Sequence, residues 1–126
     1  MKVIIIGGVA GGASCAARLR RLDEQAEILM VEKGPYVSYA NCGLPYHVGG
    51  VIEKESSLLL GSVQMFKSML NIEVRTNCEA LEISTKEKSV RLRNTITGEV
   101  STQVYDKLVL SPGAVSVRPP LPGIDL

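Results

Sequence analysis

Near the N-terminus, apolar residues form two short runs, Lys2 to Ile6 (KVIII) and Ala26 to Glu32 (AEILMVE). Runs of aliphatic side chains without regular polar positions are typical of parallel strands that are buried on both faces. Between them lies a glycine-rich turn, followed by a stretch of small and basic residues with a helical pattern from about Gly11 to Leu22. The first 32 residues are therefore predicted to form a strand, a glycine turn, a helix and a second strand, which is a βαβ unit.

Beyond a loop from Lys33 to about Asn41, the pattern predicts one more helix and several strands. The helix is Ser62 to Leu70, with Ser62 as a possible N-cap. The predicted strands are a third strand of the first sheet, three alternating strands separated by polar turns, and a last buried strand: Asn71–Arg75, Glu79–Thr85, Ser89–Arg93, Val100–Val104 and Lys107–Leu110. The pattern indicates an α/β fold with a central parallel sheet and an antiparallel meander.

Composition narrows the class of protein. The chain has 126 residues, of which 45% are hydrophobic and 21% charged, and its net charge is +1. Nothing in this balance favours binding to nucleic acid or to a membrane surface. A spanning helix needs about 20 apolar residues, which no stretch supplies, and no signal-peptide pattern is visible, so we expect a cytoplasmic protein.

The C-terminal stretch differs from the rest of the chain. Arg118 to Leu126 has three prolines in nine residues and no periodicity, which is typical of a linker. We therefore expect a domain over 1–114 and a linker over 115–126, and we expect the chain to be a fragment of a longer protein.

The glycine turn is spaced like a dinucleotide-binding turn. Gly7 suits the tight turn after the first strand and Gly12 suits a helix N-terminus aimed at a pyrophosphate, whereas Val9 stands where the strict pattern has a glycine. Glu32 closes the second strand 20 residues beyond Gly12, where an acid can accept hydrogen bonds from ribose hydroxyls. The alternative is a glycine-rich turn that binds no ligand.

The three cysteines, Cys15, Cys42 and Cys78, have long spacings without a CxxC pair, which excludes a zinc ribbon or finger. Cys42 is predicted to lie at the start of a short helix, where backbone N–H groups favour the thiolate; an inert buried thiol is the alternative. Since His47 stands five residues later, there is no second cysteine for a C-x4-C dithiol. Cys15 and Cys78 are predicted to serve packing, and His47 is predicted to be a polar loop residue.

Three segments together carry a family resemblance: Gly7-Gly8-Val9-Ala10-Gly11-Gly12-Ala13-Ser14-Cys15-Ala16, Ser38-Tyr39-Ala40-Asn41-Cys42-Gly43-Leu44-Pro45-Tyr46, and Tyr105-Asp106-Lys107-Leu108-Val109-Leu110-Ser111-Pro112-Gly113-Ala114. They resemble the coenzyme A disulfide reductases and the NADH-dependent persulfide reductases, a branch of the FAD-dependent pyridine nucleotide–disulfide oxidoreductases. The resemblance covers the whole chain, and valine at the second glycine position is typical of this branch. It implies a Rossmann-like FAD-binding domain.

The resemblance also implies the roles of individual residues. Cys42 would be the redox-active cysteine, forming a mixed disulfide with coenzyme A. Contacts to FAD would come from Gly7, Gly8, Val9, Ala10, Gly11, Gly12, Glu32, Lys33, Cys78, Ser111, Pro112, Gly113 and Ala114. Contacts to coenzyme A would come from Ser14, Arg18, Arg21, Ser38 and Asn41. NAD(P)H would be the co-substrate, and the full-length enzyme would be a homodimer acting on a small-molecule disulfide or persulfide.

The sequence is also compatible with other functions. The oxidase and peroxidase relatives typically have a histidine in the glycine turn, where this chain has Ala10, so disulfide or persulfide reduction is favoured over an NADH oxidase or peroxidase. A non-catalytic dinucleotide-binding module and a redox-regulated interaction protein without flavin are the alternatives from other classes.

Overall fold

The computed structural model describes residues 1–124. Seven strands and three α-helices follow one another in the order β1 (Lys2–Ile6), α1 (Ala10–Leu22), β2 (Glu27–Val31), α2 (Leu44–Val48), α3 (Val63–Leu70), β3 (Glu73–Arg75), β4 (Cys78–Ser84), β5 (Ser89–Asn94), β6 (Val100–Val104) and β7 (Lys107–Leu110). Two 3-10 turns, Asn41–Gly43 and Glu55–Leu58, lie between β2 and α3.

The strands form two sheets. A parallel sheet has the order β3-β2-β1-β7, and an antiparallel sheet has the order β4-β5-β6. The predicted βαβ unit, the central parallel sheet and the antiparallel meander are therefore confirmed. Because β1 pairs in parallel with both β2 and β7, these three strands end at the same edge of the sheet, and the turns that follow them meet there. This edge is where α/β folds bind ligands.

Both faces of the parallel sheet are covered, which explains the uninterrupted apolar runs. Val3 and Ile5 of β1 pack with residues of α1 and α3, including Ala16 and Phe66. Ile4, between them, points to the opposite face and packs in a second cluster with residues of the meander, including Val90. A strand with a helical layer on one face and a sheet on the other has no solvent-facing position, so it needs no polar alternation.

Arg20 joins the ends of two helices. Its side chain is 9% exposed, and its guanidinium donates to four backbone carbonyls. Two of them, on Asp23 and Glu24, follow α1 (3.1 and 2.7 Å), and two, on Leu70 and Asn71, lie at the end of α3 (2.7 and 2.9 Å). The last carbonyls of a helix have no partners within the helix and attract a cation. Arg20 therefore satisfies both helix ends and fixes them to each other.

The glycine turn depends on contacts at backbone distance. Gly7 has φ +99°, and a Cβ there would overlap the carbonyl of Ser111. A Cβ on Gly12 would overlap the carbonyl of Gly7, whereas a Cβ on Gly11 would reach ordinary contact with the Cβ of Ser111 at 3.4 Å. Gly7 thus has the predicted turn role, whereas Gly12, which was predicted for the approach of the helix to a pyrophosphate, packs against the protein's own backbone.

Several predicted boundaries were wrong. Asn71 belongs to no strand, since it ends α3 in the left-handed conformation (φ 48°), and β3 begins at Glu73. Cys78 is the first residue of β4 rather than a linker between strands. The last strand, β7, is not buried, because it lies at the edge of the parallel sheet and its side chains are half-exposed or exposed.

Within the predicted linker, residues 115–124 have neither helix nor strand, and Asp125 and Leu126 lie outside the described residues. Across residues 1–124, none of the helices has the length and apolar content that a membrane crossing requires.

The role of Arg20 predicts a selective loss of stability. Arg20→Ala removes four part-buried hydrogen bonds to carbonyls at the two helix ends, so we expect the free energy of unfolding to fall by about 3 kcal/mol, measured by urea denaturation. Arg18→Ala is the matched control, because Arg18 is exposed on the same helix, and it should change stability by less than about 0.5 kcal/mol. Equal effects of the two substitutions would contradict this role.

The glycine contacts predict a second contrast. Gly12→Ala should destabilise the protein by about 3 kcal/mol or more, since the new Cβ has no space against the backbone of Gly7. Gly11→Ala should be neutral or stabilising by up to about 1 kcal/mol, because alanine favours helix and the site is open. Thermal unfolding of both variants provides the measurement, and a stable Gly12→Ala protein would refute the proposed close packing.

Candidate cofactor and thiol site

Two cavities lie on either side of the glycine turn. The first has a volume of about 190 Å³ and is lined by the ends of β1 and β2, the start of β4 and the segment after β7. The second, of about 230 Å³, is lined by the first turns of α1 and by residues 38–42, including Cys42. The predicted cofactor and thiol residues therefore fall into two neighbouring groups.

The first cavity gathers five of the residues predicted to bind a cofactor: Gly7, Glu32, Lys33, Cys78 and Pro112. They come from four separate segments that the parallel sheet brings to one edge. We call this space the cofactor cavity.

The start of α1 can receive an anion. Val9 is its N-cap and has no side-chain group that could cap the helix, and the first turn contains no acidic residue. The first N–H groups of a helix are therefore directed outward without a side-chain acceptor, which suits a pyrophosphate. Val9 has φ −89°, which lies outside the left-handed region that favours glycine.

Glu32 lies directly after β2, and both of its carboxylate oxygens accept backbone hydrogen bonds. Oε2 accepts from Gly8 N–H and Oε1 from Gly34 N–H, each at 2.8 Å. A carboxylate oxygen has a second lone pair, so these bonds leave room to accept hydroxyl donors from a ribose. With the glycine turn and the free helix N-terminus, this donor and acceptor set fits a dinucleotide.

An ion-pair network lies at the rim of the cofactor cavity. The Glu79 carboxylate accepts from Lys33 Nζ at 2.9 Å and from Arg93 Nη2 at 2.6 Å. Hydrogen bonds from Lys33 and then Arg93 hold the pKa of Glu79 below its usual range. Since the folded pKa is the lower one, the network stabilises the fold at neutral pH, and this contribution is lost as the pH falls through the folded pKa.

Cys78 is buried between the parallel sheet and the meander and also lines the cofactor cavity. Burial raises the pKa of its thiol, although the nearby charge of Arg75 opposes this shift. A buried thiol with a raised pKa is a poor nucleophile, so its contribution to this cavity is shape and contact.

The second cavity, which we call the thiol cavity, combines Cys42 with Ser14, Ser38 and Asn41. Cys42 is exposed and lies in the middle of the 3-10 turn Asn41–Gly43, which continues directly into α2 at Leu44, so Cys42 lies at the start of a short helical segment, as predicted. Val9 and Ala10, which were predicted to contact the cofactor, line this cavity instead of the first. The turn between β1 and α1 therefore contributes to both cavities, with Gly7 lining the first and Val9 and Ala10 lining the second.

Several other predicted site residues lie outside both cavities. Arg18 and Arg21 are exposed on α1 and lie outside the thiol cavity, but they follow Ser14 at helical spacing and extend its face along the helix. Ser111 acts on the turn itself, since its hydroxyl donates to the carbonyls of Ile6 and Gly7 at 3.2 Å. Gly113 and Ala114 are exposed and line neither cavity.

Some residues of the thiol cavity were missed. Tyr39 and Leu60 both line it, and Tyr39 forms an isolated antiparallel bridge with Leu59. Leu60 reaches the cavity because its N–H donates to Ser38 O at 3.0 Å. Leu60 lies in a stretch without periodic patterning, so nothing in the sequence indicates that it lines this cavity. The Nδ1–H of His47 donates to Ile52 O at 2.6 Å, which anchors the loop after α2.

This chain is similar to reductases among both the curated proteins and the solved structures. A coenzyme A disulfide reductase of Staphylococcus haemolyticus is 43% identical over 113 residues, which are 90% of this chain and 26% of that protein. The reduced CoADR-RHD of Bacillus anthracis superposes with a TM-score of 0.94 at 48% identity, covering 98% of this chain and 22% of that chain. The NAD-dependent persulfide reductase of A. fulgidus superposes with a TM-score of 0.93 at 40% identity, covering 99% and 23%.

The chain thus spans about a quarter of the length of the curated relatives that it matches. The family model described as "Pyridine nucleotide-disulphide oxidoreductase" matches residues 1–126. With the parallel sheet, the glycine turn and the acid after β2, this match shows that the chain belongs to the pyridine nucleotide-disulphide oxidoreductase family.

Proposed function

We propose that this chain is the N-terminal FAD-binding part of an NAD(P)H-dependent reductase that acts on coenzyme A disulfide or a coenzyme A persulfide through Cys42. Residues 1–114 belong to the FAD domain in this proposal, and 115–126 lead toward an NAD(P)H-binding domain. The full-length enzyme is a cytoplasmic homodimer.

The observation that carries the proposal is the position of Cys42 relative to the glycine turn. Val9 and Ala10, at the start of α1, line the cavity of Cys42, and Gly7, two residues before Val9, lines the cofactor cavity. An exposed thiol beside a dinucleotide-type turn has little use in a passive nucleotide-binding module. The identity of 48% to a coenzyme A disulfide reductase structure supports the same reading.

The chemistry assigned to Cys42 is thiol–disulfide exchange. Its thiolate attacks one sulfur of the substrate disulfide, the substrate S–S bond breaks, and one coenzyme A leaves as a thiolate that takes a proton from water. A bound flavin would supply the two electrons from NAD(P)H that return the resulting mixed disulfide to Cys42 and a second coenzyme A thiol. Cys15 and Cys78 take no part, since one packs against the core and the other is buried.

The substrate would lie along the exposed face of α1. Ser14, Ser38 and Asn41 supply polar groups beside the thiol, while Arg18 and Arg21 continue the face with positive charge. Guanidinium groups suit the phosphates of coenzyme A because they make charge-assisted hydrogen bonds.

The acceptor is assigned to the disulfide or persulfide class because of Ala10. This residue lines the thiol cavity with a methyl group and offers no proton donor or acceptor. An oxidase or peroxidase cycle through a sulfenic acid would gain from a titratable group beside the sulfur, and Ala10 does not provide one.

The role of Cys42 predicts a separation of two activities. Full-length Cys42→Ser should lose coenzyme A disulfide reduction by at least about a thousandfold, whereas NAD(P)H should still reduce the flavin, because hydride transfer does not need the thiol. Steady-state thiol release and stopped-flow flavin bleaching measure the two steps.

Cys15→Ala is the matched control, and it should retain both activities. Mass spectrometry of the aerobically purified protein should locate a coenzyme A adduct on Cys42 and leave Cys15 and Cys78 unmodified. If Cys42→Ser reduced the disulfide at the parent rate, Cys42 would not be the redox centre.

The basic face of α1 predicts a loss of substrate affinity. Arg21→Ala should weaken binding of coenzyme A disulfide about tenfold or more, because a charge-assisted hydrogen bond contributes about 1.5–3 kcal/mol. The lost affinity should not appear for a small disulfide without phosphates, which serves as the control substrate. Unchanged affinity for coenzyme A disulfide in a folded variant would remove this helix face from the binding site.

A further inference from the structure

The backbone of Gly8 forms hydrogen bonds through both its N–H and its carbonyl. Its N–H donates to Glu32 Oε2 at 2.8 Å, and its carbonyl accepts from Ser38 N–H at 2.8 Å. Gly8 itself is buried, and a Cβ there would press on Val37 Cγ1 at 2.9 Å and on Glu32 Cβ at 3.2 Å. A continuous path of hydrogen bonds therefore runs from Glu32 through Gly8 to Ser38.

The Glu32 end of the path is fixed by charge. The carboxylate also accepts from Gly34 N–H at 2.8 Å, so it joins the turn after β1 to the turn after β2. Hydrogen bonds to an ionised acceptor are shorter and stronger than neutral ones. Glu32 lines the cofactor cavity, which makes this the ligand side of the path.

The Ser38 end of the path lies in the thiol cavity. Ser38 has φ +51°, a left-handed conformation that is uncommon for a residue with a side chain. Its N–H is bonded to Gly8 and its carbonyl to Leu60 N–H at 3.0 Å, and both Ser38 and Leu60 line the cavity of Cys42. These two backbone bonds hold Ser38 in a conformation that the isolated residue would rarely adopt.

We propose that Glu32 is a positioning residue for the thiol cavity: through the backbone of Gly8 it holds Ser38, and with it the wall that faces Cys42. This inference rests on the proposed function only for the role of Cys42. It goes beyond ribose binding, because the path consists entirely of bonds within the protein, so it operates whether or not a dinucleotide is bound.

The test uses Glu32→Gln in the full-length protein, with FAD bound and after its removal. Glutamine keeps the size of the side chain but replaces one acceptor oxygen by an NH2 group and removes the charge. Glu27→Gln is the matched control, since Glu27 lies at the other end of β2, is exposed and pairs with Lys2.

The first readout is hydrogen exchange of the Ser38 amide, measured by mass spectrometry on peptides that contain it. Glu32→Gln should speed this exchange about tenfold in both forms of the protein, whereas Glu27→Gln should leave it at the wild-type rate. Faster exchange at Gly8 and Gly34 with unchanged exchange at Ser38 would overturn the proposal, because Glu32 would then brace only its adjacent turns.

The second readout is the rate at which Cys42 of the flavin-free protein forms a mixed disulfide with coenzyme A disulfide. We expect this rate to fall about tenfold in Glu32→Gln and to be unchanged in Glu27→Gln. Gly8→Ala, which forces Glu32 and Val37 apart, should reproduce both effects with the Glu32 side chain intact. Wild-type rates in Glu32→Gln and Gly8→Ala would refute the path, while a wild-type protein that binds no flavin would refute the proposed function instead.

Discussion

Contact at backbone distance between the glycine turn, the start of α1 and the segment after β7 is the constraint on which the rest of the structure depends. Gly12 lies against the carbonyl of Gly7, and Gly7 lies against the carbonyl of Ser111. Ser111 closes this packing, since its N–H donates to Ile6 O at 2.8 Å. With a side chain at either glycine, α1 could not begin so close to the end of β1, and its first N–H groups would point elsewhere.

The direction of α1 is fixed at its far end as well. Arg20 binds the carbonyls that follow α1 and those that end α3, so the helix is held at its C-terminus by charge and at its N-terminus by close packing. The face between these anchors includes Ser14 and Arg18 and is exposed. A helix fixed at both ends is a rigid support, so side chains along its exposed face can meet a long ligand without losing much order on binding.

Sequence reasoning succeeded where a pattern has one physical cause. Apolar residues on both faces predicted β1 and β2, and spacing alone predicted the turn role of Gly7. It failed for Arg20, because Arg18, Arg20 and Arg21 look alike in sequence and two of the four carbonyls that Arg20 binds lie at the end of α3, 50 and 51 residues away. The position of Leu60 beside Cys42 was equally invisible, since backbone hydrogen bonds between distant loops have no residue signature, and Ser38 was predicted there only through the family resemblance.

The arrangement also determines how variants of this site can be interpreted. Gly7 lines the cofactor cavity and Val9 and Ala10 line the thiol cavity, so along this turn only Gly8 separates the lining of one cavity from the lining of the other. A substitution that moves the backbone, as at Gly7 or Gly12, must disturb both cavities together. Selective loss of one function is expected only from side chains that line one cavity and form no hydrogen bonds that hold the backbone. Cys42 meets this condition. Glu32 does not, because it accepts hydrogen bonds from the backbone of Gly8 and Gly34.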